Sequence, residues 1–171
     1  MVMREEILAE KKKSPWRRRL RVLLFIFIVL PILFLGSRSV LSSRPDNLGA
    51  VDGKLPGCPE SPNCVSTSAT DEQHAIDPLK FEGSAADAMV RLKSAIQSLP
   101  RTVIAASDET YLHAEFTSLI FRYVDDVEFV IDEEAGTIQV RSASRTGYSD
   151  LGANRSRVEA ILAAYESAAA E

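Results

Sequence analysis

Cysteine is almost absent: two residues among 171 can build neither a disulfide-rich scaffold nor a four-cysteine zinc site. The chain also lacks the phosphate-binding G-x-x-x-x-G-K-[ST] loop, the dinucleotide fingerprint G-x-G-x-x-G, the metalloprotease helix H-E-x-x-H and the nucleophile elbow G-x-S-x-G. Most named catalytic classes thereby lose their usual sequence support. Positive charge is scarce outside the N-terminus. Residues 1–36 hold eight basic and three acidic side chains, whereas the other 135 residues hold twelve basic and twenty-one acidic ones, a net −9. A domain of that charge repels phosphate backbones, so nucleic acid is not an expected partner. Apolar residues at 46% and charged residues at 26% are globular proportions, which excludes a disordered chain. The length allows one ordinary domain with appendages.

What is present begins with the N-terminus. Val22 to Leu35 reads VLLFIFIVLPILFL, uncharged throughout, and follows a cluster of arginines at 17, 18, 19 and 21. A full span needs about 20 apolar residues. The run is shorter, but Arg21 can snorkel and Pro31 is tolerated within a membrane helix. The basic cluster puts the N-terminus in the cytoplasm by the positive-inside rule. The expected organisation is a basic cytoplasmic tail over residues 1–19, a single-pass signal anchor over 20–36, a linker over 37–52 and an extracytoplasmic domain over 53–171. A cleaved signal peptide is the alternative, although no A-x-A-like triplet follows the run.

Within the domain, residues 53–79 are rich in turn formers and read as an ordered, irregular loop. Ser84 is an N-cap with Asp87 three positions on. Ala85, Ala88, Met89, Leu92, Ile96 and Leu99 then share a helical face, which Pro100 closes. Strands follow over 102–106 and 110–116, then around Val127–Ile131 and Ile138–Arg141, joined by a turn at 132–136. Placing the apolar sets of the last two strands on one face sets Ile131 near Ile138 and Glu128 opposite Arg141. Ser156 to Glu159 reads as a capping box opening a final helix. The expected fold is α+β: an antiparallel sheet of about four strands covered on one face by two helices, after one membrane helix. The other face, with Tyr111, His113, Glu115, Glu128 and Arg141, is expected to be open.

Cys58 and Cys64, in an exported domain, are expected to pair. A metal site recruiting His74 or His113 is the weaker alternative, because the spacing matches no zinc pattern. The densest polar stretch is RSASRTGYSDLGANRSR, Arg141 to Arg157. Its arginines and the following helix N-terminus make Arg141, Arg145, Tyr148, Asp150, Asn154 and Arg155 a candidate anion site. The competing reading is an internal network, in which Asp125, Asp126, Glu128 and Asp150 neutralise the same arginines. His113 with Ser142 or Ser144 and Asp126 supplies the residue types of a hydrolase, without its sequence context. Asp125, Asp126 and Glu128 offer fewer oxygens than a calcium site wants.

The segments CPESPNCVST, HAIDPLKF and FRYVDDVEFVID, and above all S-x-S-R-x-G-x-x-D-x-G-x-N-R-x-R from Ser142 to Arg157, are similar to the family named domain of unknown function 1499. The similarity spans roughly Cys58 to Leu162. It implies one exported or membrane-tethered domain and no established reaction. The functional expectation is a membrane-anchored envelope domain that binds an anionic small molecule, lipid or partner protein, with no catalysis, metal or cofactor. The alternative is a hydrolase using His113 with Ser142 or Ser144.

Overall fold

The computed structural model describes residues 15–34 and 43–168, in two compact units, residues 1–38 and 39–171. In the first unit, α1 runs Pro15–Leu24 and passes into a π-helical segment, Phe25–Val29, with helical backbone again over 30–34. No helix among the described residues is long and apolar enough to cross a membrane. The expected span over 20–36 is therefore not found as such. Its uncharged part, Val22 to Leu35, covers only about 21 Å at 1.5 Å per residue, against ~30 Å of hydrocarbon. Leu35 and Gly36 lie outside the described residues.

The second unit is one antiparallel sheet with two helices. Its elements are β1 (Cys64–Ser66), β2 (Leu79–Lys80), α2 (Ala85–Ser98), β3 (Thr102–Ser107), β4 (Tyr111–Thr117), β5 (Val124–Asp132), β6 (Thr137–Ser144) and α3 (Ala153–Ser167). The sheet has six strands in the order β1-β6-β5-β4-β3, with β2 also pairing β6. The expectation of about four strands missed β1 and β2. Each is only two or three residues long and is held by the exposed edge of β6, so neither carries a period of its own. The hairpin register is as expected: Glu128 faces Arg141 and Ile131 faces Ile138.

Strand alternation divides the sheet into two faces. Leu112, Ala114, Phe116, Val127, Phe129, Ile131, Ile138 and Val140 point to one, where Met89, Leu92 and Ile96 of α2 and Val158, Ile161 and Tyr165 of α3 complete the core. All core residues lie between Val65 and Tyr165, so the second unit buries a hydrophobic core by itself. Ser84 caps α2 as expected, its hydroxyl accepting from the Asp87 amide and donating to the Asp87 carboxylate. The start of α3 differs from expectation. The helix begins at Ala153 behind Gly152, whose φ of 82° suits glycine. Asp150, not Ser156, satisfies the first amides, accepting from Gly152 and Asn154.

The far face is not open. Residues 43–62 run across it: the Gly49 amide donates to Glu128, Arg44 reaches Glu115, and the Gly57 carbonyl accepts from Arg141. Cys58 and Cys64 form the expected disulfide, fastening this segment to β1. The enclosed loop is short, so the bridge contributes at the low end, about 2 kcal/mol. Reducing it, or replacing both cysteines with serine, should lower the melting temperature by several degrees without unfolding the domain, as read by circular dichroism. Unfolding on reduction would show that the bridge holds far more than its loop.

Candidate functional site

Segment 43–62 covers a face lined with charge. On β4 this face carries Tyr111, His113 and Glu115, on β5 Asp126 and Glu128, and on β6 Arg141; Arg145 follows just beyond the strand. His113, Asp126, Glu128 and Arg141 are all buried. Buried charges must be paired, and these are. Arg145 donates from Nε and Nη2 to Asp126 at 2.8 and 2.6 Å, and from Nη2 to Glu115 at 2.6 Å. His113 Nε2 donates to Asp126 at 2.7 Å. Arg141 Nη1 donates to Glu128 at 3.1 Å, and Tyr111 Oη donates to the same carboxylate at 2.8 Å. Arg44 adds a second cation to Glu115 at 2.7 Å.

Burial by itself would push Asp126 up, but the hydrogen bonds and charges of Arg145 and His113 outweigh it and hold the carboxyl below its ordinary value. Glu115 is likewise held down, burial being outweighed by Arg44 and Arg145. Burial and the Glu128 carboxylate push the Tyr111 phenol up. A carboxyl with a depressed folded pKa stabilises the fold above its unfolded value, about 3.9 for aspartate, and that stability is lost as pH falls through the folded value. The domain should therefore lose stability below about pH 4. Asp126→Asn should be less stable near neutrality and show a flatter acid limb in denaturant melts. An unchanged acid limb would contradict the pairing.

The other polar cluster lies on the helix face. Asn154, fully buried, accepts from the Ser142 hydroxyl and from Arg157 Nη1. Its amide donates to the Asn63 carbonyl, the Ser144 hydroxyl and Asp150. Arg157 in turn pairs with Asp125 and lies over the Phe116 ring.

The six residues of the expected anion site are thus not assembled in one place. Arg141 and Arg145 lie on the far face, and Asn154 and Asp150 on the helix side. Tyr148 is exposed, and Arg155 Nη2 is turned to the carbonyls of Glu72 and Gln73. The period-2 alternation of β6 and the turn into α3 separate them. The same alternation parts Asp125 from Asp126 and Glu128, which removes the three-carboxylate cation reading. The disulfide consumes both cysteines and with them the zinc reading. His113, Glu115 and Asp126 bring three ligand atoms within 4.8 Å of one another, but Arg145 sits on both carboxylates and supplies the positive charge there. Ser142 lies on the opposite side of the sheet from His113, and no serine hydroxyl among the described residues bonds that imidazole. The hydrolase constellation is not formed.

What the far face does offer is a cleft of about 460 Å3 between the sheet and segment 43–62, lined by Asn47, Cys58, Ser61, Asn63, Asp126, Arg141, Ser144 and Arg145 among others. Arg145, at its wall, commits Nε and Nη2 to Asp126 and Glu115. Arg141 commits Nη1 to Glu128 and Nε, at 3.4 Å, to Gly57, while Nη2 makes no hydrogen bond among the described residues. A larger hollow of about 650 Å3, lined by Lys54, Thr67, Thr110, Val130, Asp132 and Gln139 among others, lies elsewhere on this face and holds none of the expected residues. Sequence reasoning missed Asn47, Asn63 and Arg44, which sit in stretches read as linker and loop. The visible signal was the matched row of opposite charges at 113, 115, 126, 128, 141 and 145, which an open face would not need.

A family model described as "Protein of unknown function (DUF1499)" matches residues 54–165. No curated protein matches the chain.

Proposed function

The chain belongs to the DUF1499 family of proteins of unknown function, and we propose that in this member it is a non-catalytic binding domain of the cell envelope. Its ligand is a small anion-bearing molecule seated in the cleft beside Arg141. The carrying observation is that Arg141, 4% exposed, lines the cleft with an amino group that no described residue takes up. A buried guanidinium with a spare donor, beside the polar side chains of Asn47, Ser61 and Asn63, suits a carboxylate or phosphate oxygen. The N-terminal segment holds the domain at the membrane. What supports this is the uncharged run from Val22 to Leu35 behind four arginines, in which most apolar side chains over 22–34 stand exposed. A reporter enzyme fused after Glu171 should then be active on the extracytoplasmic side, and cytoplasmic activity would refute the orientation.

The binding test uses Arg141→Lys, which keeps a cation beside Glu128 but withdraws the fork. Inorganic phosphate should raise the melting temperature of the wild-type protein. In the variant the folded protein should persist while the phosphate effect falls by the equivalent of about 1–3 kcal/mol of binding. Equal phosphate effects in the two proteins would refute the site.

A further inference from the structure

We propose that the tip of the β4–β5 hairpin, with the loop leading into α3, is a second membrane contact that inserts into the lipid surface and sets which end of the domain faces the bilayer. The inference rests on the membrane tether proposed above. Residues 118–123 close the hairpin, with the Ser118 amide bonded to the Tyr123 carbonyl and the Tyr123 amide to the Ser118 hydroxyl. The rings of Phe121 and Tyr123 pack 5.8 Å apart beneath. This closed loop holds Leu119 and Ile120 outward, 69% and 73% exposed. The loop after β6 leaves the same end of the sheet, since the Arg145 amide bonds to the Val124 carbonyl. It presents Tyr148 and Leu151, the latter 96% exposed at a φ of 56°, a left-handed backbone that leucine rarely adopts. The local turns fix that conformation, with Ser149 bonded to the Leu151 amide and Asp150 to that of Gly152.

Two features point to a bilayer as the occupant. The first is chain connectivity. Arg44 is fastened to Glu115, two residues before the end of β4, so the chain joins the domain beside this same end. Only eight residues, Gly36 to Ser43, separate Arg44 from the apolar run, a reach of no more than ~30 Å. A tethered domain therefore keeps this end near the lipid. The second is chemistry. Leucine and isoleucine at the apex, with tyrosines and the exposed Arg101 and Arg122 behind them, form the combination that sits at an anionic interface.

The test uses the full chain with Trp16→Phe, which removes the sole tryptophan, and Ile120→Trp as reporter. The protein is reconstituted in vesicles of equal parts phosphatidylcholine and phosphatidylglycerol, with plain or brominated acyl chains. The reporter should lose emission in the brominated vesicles. Adding Leu119→Asp and Leu151→Asp, both at exposed positions, should restore the emission while the chain still floats with the vesicles. Full emission in a floating chain would overturn the docking and leave the tether standing. Shielding of the reporter from aqueous iodide without bromine quenching would place the tip against a second copy of the chain or the chain's own surface, and equally overturn the docking. A chain that fails to float would remove tether and docking together.

Discussion

Arg145→Ala is expected to be the most damaging single substitution on the far face. The guanidinium is 7% exposed and binds two carboxylates, one of them Asp126, itself nearly inaccessible. Truncation leaves Asp126 with His113 alone and Glu115 with Arg44 alone. Breaking a buried ion pair from one side costs ~3–5 kcal/mol, because a charge is stranded away from water. For a domain of this size that is a fall in melting temperature on the order of 10–15 °C. Arg145→Met combined with Asp126→Leu removes both charges and should recover part of the loss. A melting temperature for Arg145→Ala close to wild type would mean that the pairing carries no stability, and that Arg145 is available to a ligand instead.

The second large effect is expected at Asn154. One side chain here meets five partners and ties β6, the loop at Asn63 and the start of α3 together. Asn154→Ala leaves the Ser142 hydroxyl and the Asn63 carbonyl without that partner and takes an acceptor from Arg157. Each unsatisfied buried group costs about 1–3 kcal/mol. Some regain water or a neighbour, so the sum should be on the order of 3 kcal/mol. Amide hydrogen exchange should locate the loss at residues 61–64 and in the first turn of α3. Uniform loosening, or none, would contradict the role of Asn154 as a tie between three segments.

The parts of the fold that were legible are those with a period. The faces of β4, β5 and β6 alternate cleanly enough that Glu128 and Arg141 could be placed opposite each other, and the apolar stripe from Ala88 to Ile96 announced α2. The parts that were not legible lack one. β1 and β2 are short pieces of a proline-rich stretch and exist because β6 has an edge to cover. The sequence pattern sets the start of α3 too late because Ser156 to Glu159 fits a capping box, while Asp150, two residues before the glycine, does the capping.

The site was legible in composition and not in placement. The motif from Ser142 to Arg157 contains most of the polar residues that matter, yet half of it faces the helices and half the far side, because a strand end and a turn intervene. Arg141 and Arg145 do share a wall with each other. The sequence points to their carboxylate partners only in part: Asp126 and Glu128 stand out as neutralising groups, while Glu115 looks like one residue of an open face. The cover over that face could not be read from residues 43–62, whose hold on the sheet runs largely through backbone groups of Gly49 and Gly57, invisible to side-chain patterning.

The central claim is that the cleft beside Arg141 takes an anion. Crystals of the protein soaked in selenate, with data collected at the selenium edge, test it most directly. An anomalous peak within hydrogen-bond distance of Arg141 Nη2, between Asn47 and Asn63, is the predicted result. Selenate found only elsewhere on the surface, with the cleft holding ordered water alone, would contradict the claim.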